Sequence, residues 1–232
     1  MRWCVTCMEI ALPRDNDPLT MHALGEAALL CQLPAPASLM QQQRIWALAE
    51  QAAQWPFVQE VLPGMNNLTL IFDAGRGDIA DYELRVRKAW PRMRGSRRAG
   101  RHIDIPVHYG GAAGPDLADV ADHTRLDARE VVRRHAAGDY VVYFLGFLPG
   151  FAFMGGLEPG LATPRRAEPR TAVPAGSVGI GGEQTGIYPL ASPGGWQLIG
   201  RTTLALFDPA AGSPTLLRPG DHVRFVAERV EL

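Results

Sequence analysis

Most of the side chains able to bind or transform a small molecule lie in one stretch of the sequence, residues 143–201. Between Gly146 and Gly200 it holds 13 of the 25 glycines and 7 of the 19 prolines, together with several aromatic residues. Glycine and proline at this density are usual in disordered segments, but interleaved aromatic side chains favour burial. The composition therefore predicts an ordered, loop-rich pocket wall that carries a few placed polar groups.

Four arginines of this wall are candidates for substrate binding. Arg165, Arg166 and Arg170 lie on one proline-containing segment, and a planar guanidinium group suits a carboxylate or a phosphate. Arg201 could pair with a carboxylate in the same wall, or simply with Glu183 or Glu168. The residue types alone leave a second interpretation open, in which the three clustered residues are surface arginines on a loop.

One glutamate and two glutamines could handle an amide. Glu183 follows Gly182 in a predicted turn, where its carboxylate could act as a base or orient a substrate amide. Gln184 and Gln197 could hydrogen-bond a planar amide group, or they could satisfy backbone groups of a tight loop instead. A solvated turn residue is the alternative interpretation of Glu183.

Three bulky residues complete the candidate set. His135 shares a helical face with Val131, so a buried structural histidine competes with a catalytic proton carrier. Tyr188 and Trp196 fit a hydrophobic core first and the lining of a substrate pocket second.

Several other kinds of chemistry do not fit the sequence. The single lysine, Lys88, rules out a phosphate-binding loop of the Gly-x-x-x-x-Gly-Lys type, and Ser177 lacks the glycine pattern of a hydrolase nucleophile. No metal-ligand spacing is convincing, and Cys4 and Cys7 are interpreted as ordinary thiols. The formal net charge of −1 gives no reason to expect nucleic acid. Three cysteines and the lack of a long apolar segment predict a cytoplasmic protein without a membrane span.

The elements that must position these residues fall into two parts. Residues 1–95 are predicted to form a small α+β domain in which strands at 24–33, 58–62 and 68–72 alternate with helices at 38–53 and 79–90. This order resembles most of a ferredoxin-like layer. A linker is expected at residues 92–101, where arginines accompany glycine and serine.

Residues 96–232 are predicted to form a β-barrel domain. Ile103, Ile105 and Val107 alternate as in a half-buried strand, and Asp127 begins a helix with a capping-box pattern. Further strands are expected at residues 140–145, 196–199, 204–207 and 222–226, which suggests a closed β structure. The predicted class is therefore α+β.

Four motifs of the second part resemble the KipI family, also known as allophanate hydrolase subunit 1 or as the B subunit of 5-oxoprolinase (PxpB). They are Tyr143–Phe151, Ala162–Arg170, Val173–Pro189 and Ser192–Arg201. The segment Pro63–Thr69 extends the resemblance more weakly into the first part. The resemblance implies a cyclophilin-like β-barrel from about His102 onward.

The resemblance also implies a function. It indicates one subunit of an ATP-dependent 5-oxoprolinase, with the A subunit (LamB/YcsF type) and the C subunit (carboxylase-associated type) as partners. In this enzyme the lactam of 5-oxoproline is opened to glutamate. The missing phosphate-binding loop favours an ATP site that is shared with or carried by a partner. Two alternatives stay open: a protein inhibitor of a histidine kinase, and a component of urea or allophanate metabolism.

Overall fold

The computed structural model describes residues 19–95 and 100–232. The predicted thiols Cys4 and Cys7, and residues 96–99 of the predicted linker, lie outside these ranges. The division into domains 1–95 and 96–232 stays a prediction, but the described residues do form a layered part followed by a barrel.

The first part is an antiparallel four-stranded sheet covered by two helices. Its elements are β1 (Thr20–Leu24), β2 (Ala28–Gln32), α1 (Leu39–Ala52), β3 (Val58–Gly64), β4 (Asn67–Phe72) and α2 (Ile79–Ala89), followed by a 3-10 turn at Trp90–Arg92. The sheet order is β1-β2-β4-β3. The predicted order of strand, helix, strand, strand and helix is confirmed from β2 onward.

The single strand predicted at residues 24–33 is wrong, because this segment contains a hairpin turn. Gly25 has a φ of +65°, a left-handed conformation that glycine adopts at little cost. The chain therefore reverses there, and Leu24 pairs with Ala28. Strand β1 thus becomes the edge strand beside β2.

The second part is a closed seven-stranded barrel. Its strands and helices are β5 (His102–Gly110), α3 (Leu117–Thr124), α4 (Ala128–Ala137), β6 (Tyr140–Leu145), β7 (Ala152–Gly155), β8 (Arg170–Val173), β9 (Ser177–Gly181), β10 (Gln184–Ile187), β11 (Ser192–Gly194), β12 (Gln197–Arg201) and β13 (His222–Glu231), with a 3-10 turn at Pro159–Leu161. The strands follow one another around the barrel in the order β10-β7-β6-β13-β5-β12-β9, and β8 and β11 form a separate ribbon. The α+β class and the closed β structure are thereby confirmed. The strand predicted at 204–207 is wrong, since Phe207 makes only an isolated bridge to Thr215.

The first part contacts the barrel through helix α1. The Trp46 indole Nε1 donates to the carbonyl of Tyr143 at 2.8 Å, and Trp46, Val141 and Tyr143 form a small buried cluster. Gln42 is fully buried beside them and joins Gly64 and Asn66 through its amide. These contacts hold β3 and β4 against the end of β6. In the described part of the chain, no helix is long and apolar enough to cross a membrane.

Candidate functional site

Glu183 occupies the tip of the β9–β10 hairpin. Gln184 pairs with Gly181, which leaves a two-residue turn of Gly182 and Glu183, and Gly182 has a φ of +69°. Thr163 holds the turn from outside, since the Gly182 amide donates to the Thr163 carbonyl at 2.8 Å and the Thr163 amide donates back at 3.2 Å. The turn is therefore fixed, while the Glu183 side chain is exposed.

Glu183 and Gln184 border a cleft between the layered part and the barrel, the interlayer cleft. Its volume is about 630 Å³, and it is lined by Ala35, Pro36, Ala37, Met65, Tyr143, Gly155, Gly156, Leu157, Pro159, Ala162, Gly181, Glu183 and Gln184. Of these described residues none is a lysine, arginine or histidine. The cleft thus combines a largely apolar, glycine-rich wall with one tyrosine, one carboxylate and one side-chain amide.

Arg166 and Arg170 are held by a buried carboxylate, that of Asp116. Arg166 Nη1 lies 3.0 Å from Asp116 Oδ1, and Arg170 Nη1 and Nη2 lie 2.9 and 2.6 Å from its two oxygens. The amide of Leu198 donates to Asp116 Oδ2 at 2.6 Å, and only 2% of the Asp116 side chain is exposed. We call these three side chains the Asp116 clamp. Because it contains two guanidinium groups and one carboxylate, the clamp has a formal charge of +1.

The sequence contains no local signal for the clamp. Asp116 directly precedes α3, but its side chain makes no capping hydrogen bond there. Its partners lie 50, 54 and 82 residues further along the chain. No local pattern could have indicated this arrangement, because every contact of the carboxylate depends on the barrel closing.

Arg165 and Trp196 lie beside the Glu183 turn. The Trp196 indole covers Gly181, whose missing Cβ would stand 2.6 Å from the ring, and the Arg165 guanidinium carbon lies 5.8 Å from the ring centroid. Arg165 is two residues from Thr163 and Glu183 is one residue from Gly182. The Cα atoms of Arg165 and Glu183 therefore lie within about 7 Å of the Thr163–Gly182 bridge.

The structure brings most of the predicted binding residues to the end of the barrel that carries the Glu183 turn. Gln197 donates its Nε2 to the carbonyl of Pro164 at 3.0 Å, so it supports the arginine-bearing loop. Tyr188 and Trp196 are almost fully buried in an aromatic cluster with Phe151, and burial raises the pKa of Tyr188. They form the core behind the site, as their residue types suggested first.

His135 does not belong to this site. It is fully buried in the barrel, where its Nδ1 lies 2.8 Å from the Tyr109 hydroxyl and its Nε2 lies 2.9 Å from the Thr185 hydroxyl. Burial lowers its pKa to about 3, which keeps the ring neutral. The catalytic assignment of His135 is therefore replaced by a structural one, because both ring nitrogens have partners and no substrate can reach them.

Arg201 also lies away from the site. It ends β12 opposite Ser177, whereas Gln197 begins that strand opposite Ile180, next to Gly181. Four residues of strand separate the two ends by about 13 Å. The Arg201 Nε donates to the carbonyl of Ala175 at 2.9 Å, so the predicted pairing with Glu183 or Glu168 does not form.

The barrel and its layer define the class of protein. Residues 19–217 match the family described as the carboxyltransferase domain, subdomain C and D. The chain therefore belongs to this family. Among the described residues, no group of three histidine, cysteine, aspartate or glutamate side chains is arranged to hold a metal ion.

Particular relatives narrow the class further. The chain is 53% identical over 208 residues to the B subunit of the 5-oxoprolinase of Escherichia coli O157:H7, covering 90% of this chain and 95% of the relative. It is 41% identical over 219 residues to the protein of that name from Bacillus subtilis, covering 89% and 91%. These relatives confirm the resemblance to the B subunits of 5-oxoprolinases.

Solved structures show the same fold. The crystal structure of TTHA0988 matches with a TM-score of 0.75 and 37% identity, covering 87% of this chain but only 40% of the TTHA0988 chain. The Kluyveromyces lactis urea amidolyase matches with a TM-score of 0.80 at 22% identity, covering 94% of this chain and 15% of that protein. The second match supports the fold alone.

Proposed function

We propose that this chain is the B subunit of an ATP-dependent 5-oxoprolinase, which hydrolyses 5-oxo-L-proline to L-glutamate. The observation that carries the proposal is the 53% identity to a 5-oxoprolinase B subunit along 95% of that relative. The site adds chemical support, because it places a carboxylate, an amide and an arginine around one turn.

The three groups match the parts of a lactam acid. The lactam N–H can donate to the Glu183 carboxylate, and the lactam carbonyl can accept from the Gln184 side-chain amide. The substrate carboxylate is then left for Arg165, which has no carboxylate partner among the described residues. In this arrangement Glu183 is also the group that takes a proton from the attacking water.

The Asp116 clamp supports this arrangement from behind. It fixes Arg166 on the loop that carries Arg165, and Arg170 at the start of β8, and it has a formal charge of +1. Both arginines keep partly exposed side chains, so their charge still attracts an anionic substrate group. Gln197 holds the loop at Pro164 and is assigned the same positioning role.

The interlayer cleft does not fit the phosphates of ATP. Its described lining offers a carboxylate and no cation, so a triphosphate there would be repelled rather than bound. We therefore assign the ATP site to a partner. The partners are the A and C subunits, of the types implied by the family resemblance, and the assembly is cytoplasmic.

The test is reconstitution with the partners. Purified chain, the A and C subunits, ATP and 5-oxoproline are mixed, and glutamate is measured. We expect glutamate only in the complete mixture and a loss of at least about 100-fold with Glu183→Gln, in line with the loss of a general base. Glu60→Gln, an exposed glutamate on β3, is the matched control and should retain full activity. A mixture that turns over no 5-oxoproline with the wild-type chain would refute the proposed function.

A further inference from the structure

A second surface lies at the opposite end of the barrel from Glu183. The loop 146–150 projects Phe147, which is 64% exposed although it is a large apolar residue. The ring packs edge-on against Phe151 and Tyr188, at centroid distances of 5.6 and 6.5 Å. An ordered, exposed aromatic ring of this kind is typical of the anchors of protein interfaces.

The backbone beneath Phe147 is held in an unfavourable conformation. Phe147 has a φ of +66°, a left-handed conformation that is strained for a residue with a bulky side chain. Glycine would adopt the same conformation freely. The chain therefore keeps an aromatic side chain exposed at a position where folding alone favours its removal.

A cavity continues the surface. The position where Gly150 would carry a Cβ lies 3.0 Å from Phe207 Cβ and 3.5 Å from Pro189 Cβ, so the loop abuts both residues. Phe207 and Pro189 in turn line a cavity of about 650 Å³ together with Leu204 and Arg201. We call Phe147, Pro189, Leu204, Phe207 and Arg201 the Phe147 patch.

The charge at the edge of the patch indicates what it binds. His108, which also lines the cavity, is already 2.9 Å from the Glu228 carboxylate. Arg201 uses its Nε on a backbone carbonyl and has no carboxylate partner among residues 19–95 and 100–232. The patch thus offers an apolar anchor and cavity beside one arginine whose charge is not neutralised.

We propose that the Phe147 patch docks another subunit of the complex through an apolar side chain that fills the cavity and a carboxylate that pairs with Arg201. This inference rests on the proposed function as a subunit. It agrees with TTHA0988, in which the counterpart of this chain accounts for 40% of a longer polypeptide, so that more protein is joined to the same module. It also gives Arg201 a role that the site near Glu183 cannot give.

The test compares matched variants. Phe147→Gly removes the ring at a position that glycine tolerates, and Phe57→Gly is its control because Phe57 is also exposed, with a φ of +62°. Arg201→Glu reverses the charge at the patch, and Arg129→Glu reverses an exposed charge on α4. Dissociation constants for the purified A and C subunits are measured by calorimetry, and oligomeric state by sedimentation.

We expect Phe147→Gly and Arg201→Glu each to weaken the binding of one partner by roughly 30-fold, while both controls stay within about twofold. Wild-type binding that both patch variants retain overturns the docking inference and leaves the proposed function intact. Self-association that Phe147→Gly abolishes, with partner binding unchanged, also overturns it, in favour of a second copy. Absence of both partner binding and glutamate formation with the wild-type chain refutes the two proposals together.

Discussion

Replacing Asp116 by alanine tests whether the buried clamp holds the arginine-bearing loop in place. The carboxylate accepts two bonds from Arg170, one from Arg166 and one from the Leu198 amide, at distances between 2.6 and 3.0 Å. Removing one partner of a buried ion pair costs about 3–5 kcal/mol, because the opposite charge is left without compensation. Here the Arg166 and Arg170 side chains are 33% and 24% exposed, so water can hydrate them in part.

We therefore expect a value at the lower end of that range, about 3 kcal/mol of unfolding free energy. For a chain of this length the loss corresponds to a melting temperature lower by roughly 6–12 °C. Urea unfolding and calorimetry measure the two quantities independently. Asp116→Asn should fall between the wild type and the alanine variant, since it keeps the shape and one acceptor but removes the charge.

The matched control is Asp104→Ala, because Asp104 also pairs with an arginine, Arg224, through two hydrogen bonds. That pair is exposed to water and should contribute little. If Asp116→Ala lowers the free energy of unfolding no more than Asp104→Ala does, burial does not make the clamp more stabilising than an exposed ion pair. The positioning role assigned to Asp116 would then be refuted.

Three further predictions concern the site and the core. Glu183→Gln in the reconstituted mixture should lower kcat by about 100-fold or more, whereas Glu60→Gln should not change it. Arg165→Met should raise the KM for 5-oxoproline roughly tenfold with a smaller effect on kcat, and an unchanged KM would remove Arg165 from the site. Burial lowers the pKa of His135 to about 3, while an unfolded histidine titrates at ~6.5. Below that pH the unfolded state binds the additional proton, so stability is complete above ~6.5 and decreases by up to ~1.4 kcal/mol per pH unit as the pH falls toward 3. His135→Gln should flatten this slope in urea titrations at several pH values, and the exposed His123→Gln should leave it unchanged.

The elements that the sequence predicted correctly are those with local signals. Ser38 accepts a hydrogen bond from the Gln41 amide and starts α1, and Asp127 does the same for α4 through Arg129. A capping residue lies within three positions of its partner, so its signal is present in the sequence itself. The alternation of Ile103, Ile105 and Val107 predicted β5 for the same reason.

Two omissions come from long-range pairing. Strand β13 continues to Glu231, although its last six residues are exposed and carry no inward-facing pattern; its parallel pairing with β5 extends it. The arginines at 165, 166 and 170 look alike in sequence, yet Asp116 takes two of them and leaves the third. Local residue types could name the arginines, but only the closed barrel decides which of them are already paired.

Strand β12 gives the proposed assembly a geometric constraint. Its first residue, Gln197, lies at the Glu183 end of the barrel and its last, Arg201, lies at the Phe147 patch, about 13 Å away. A partner that only fills the cavity of the patch therefore cannot place a group beside Glu183. The partner that brings the activating nucleotide to the lactam must either extend along the barrel beyond the patch or approach the interlayer cleft from the side of the layered part. In the second arrangement two partners contact the chain on separate surfaces, and Phe147→Gly should weaken the binding of one by roughly 30-fold while leaving the other unchanged.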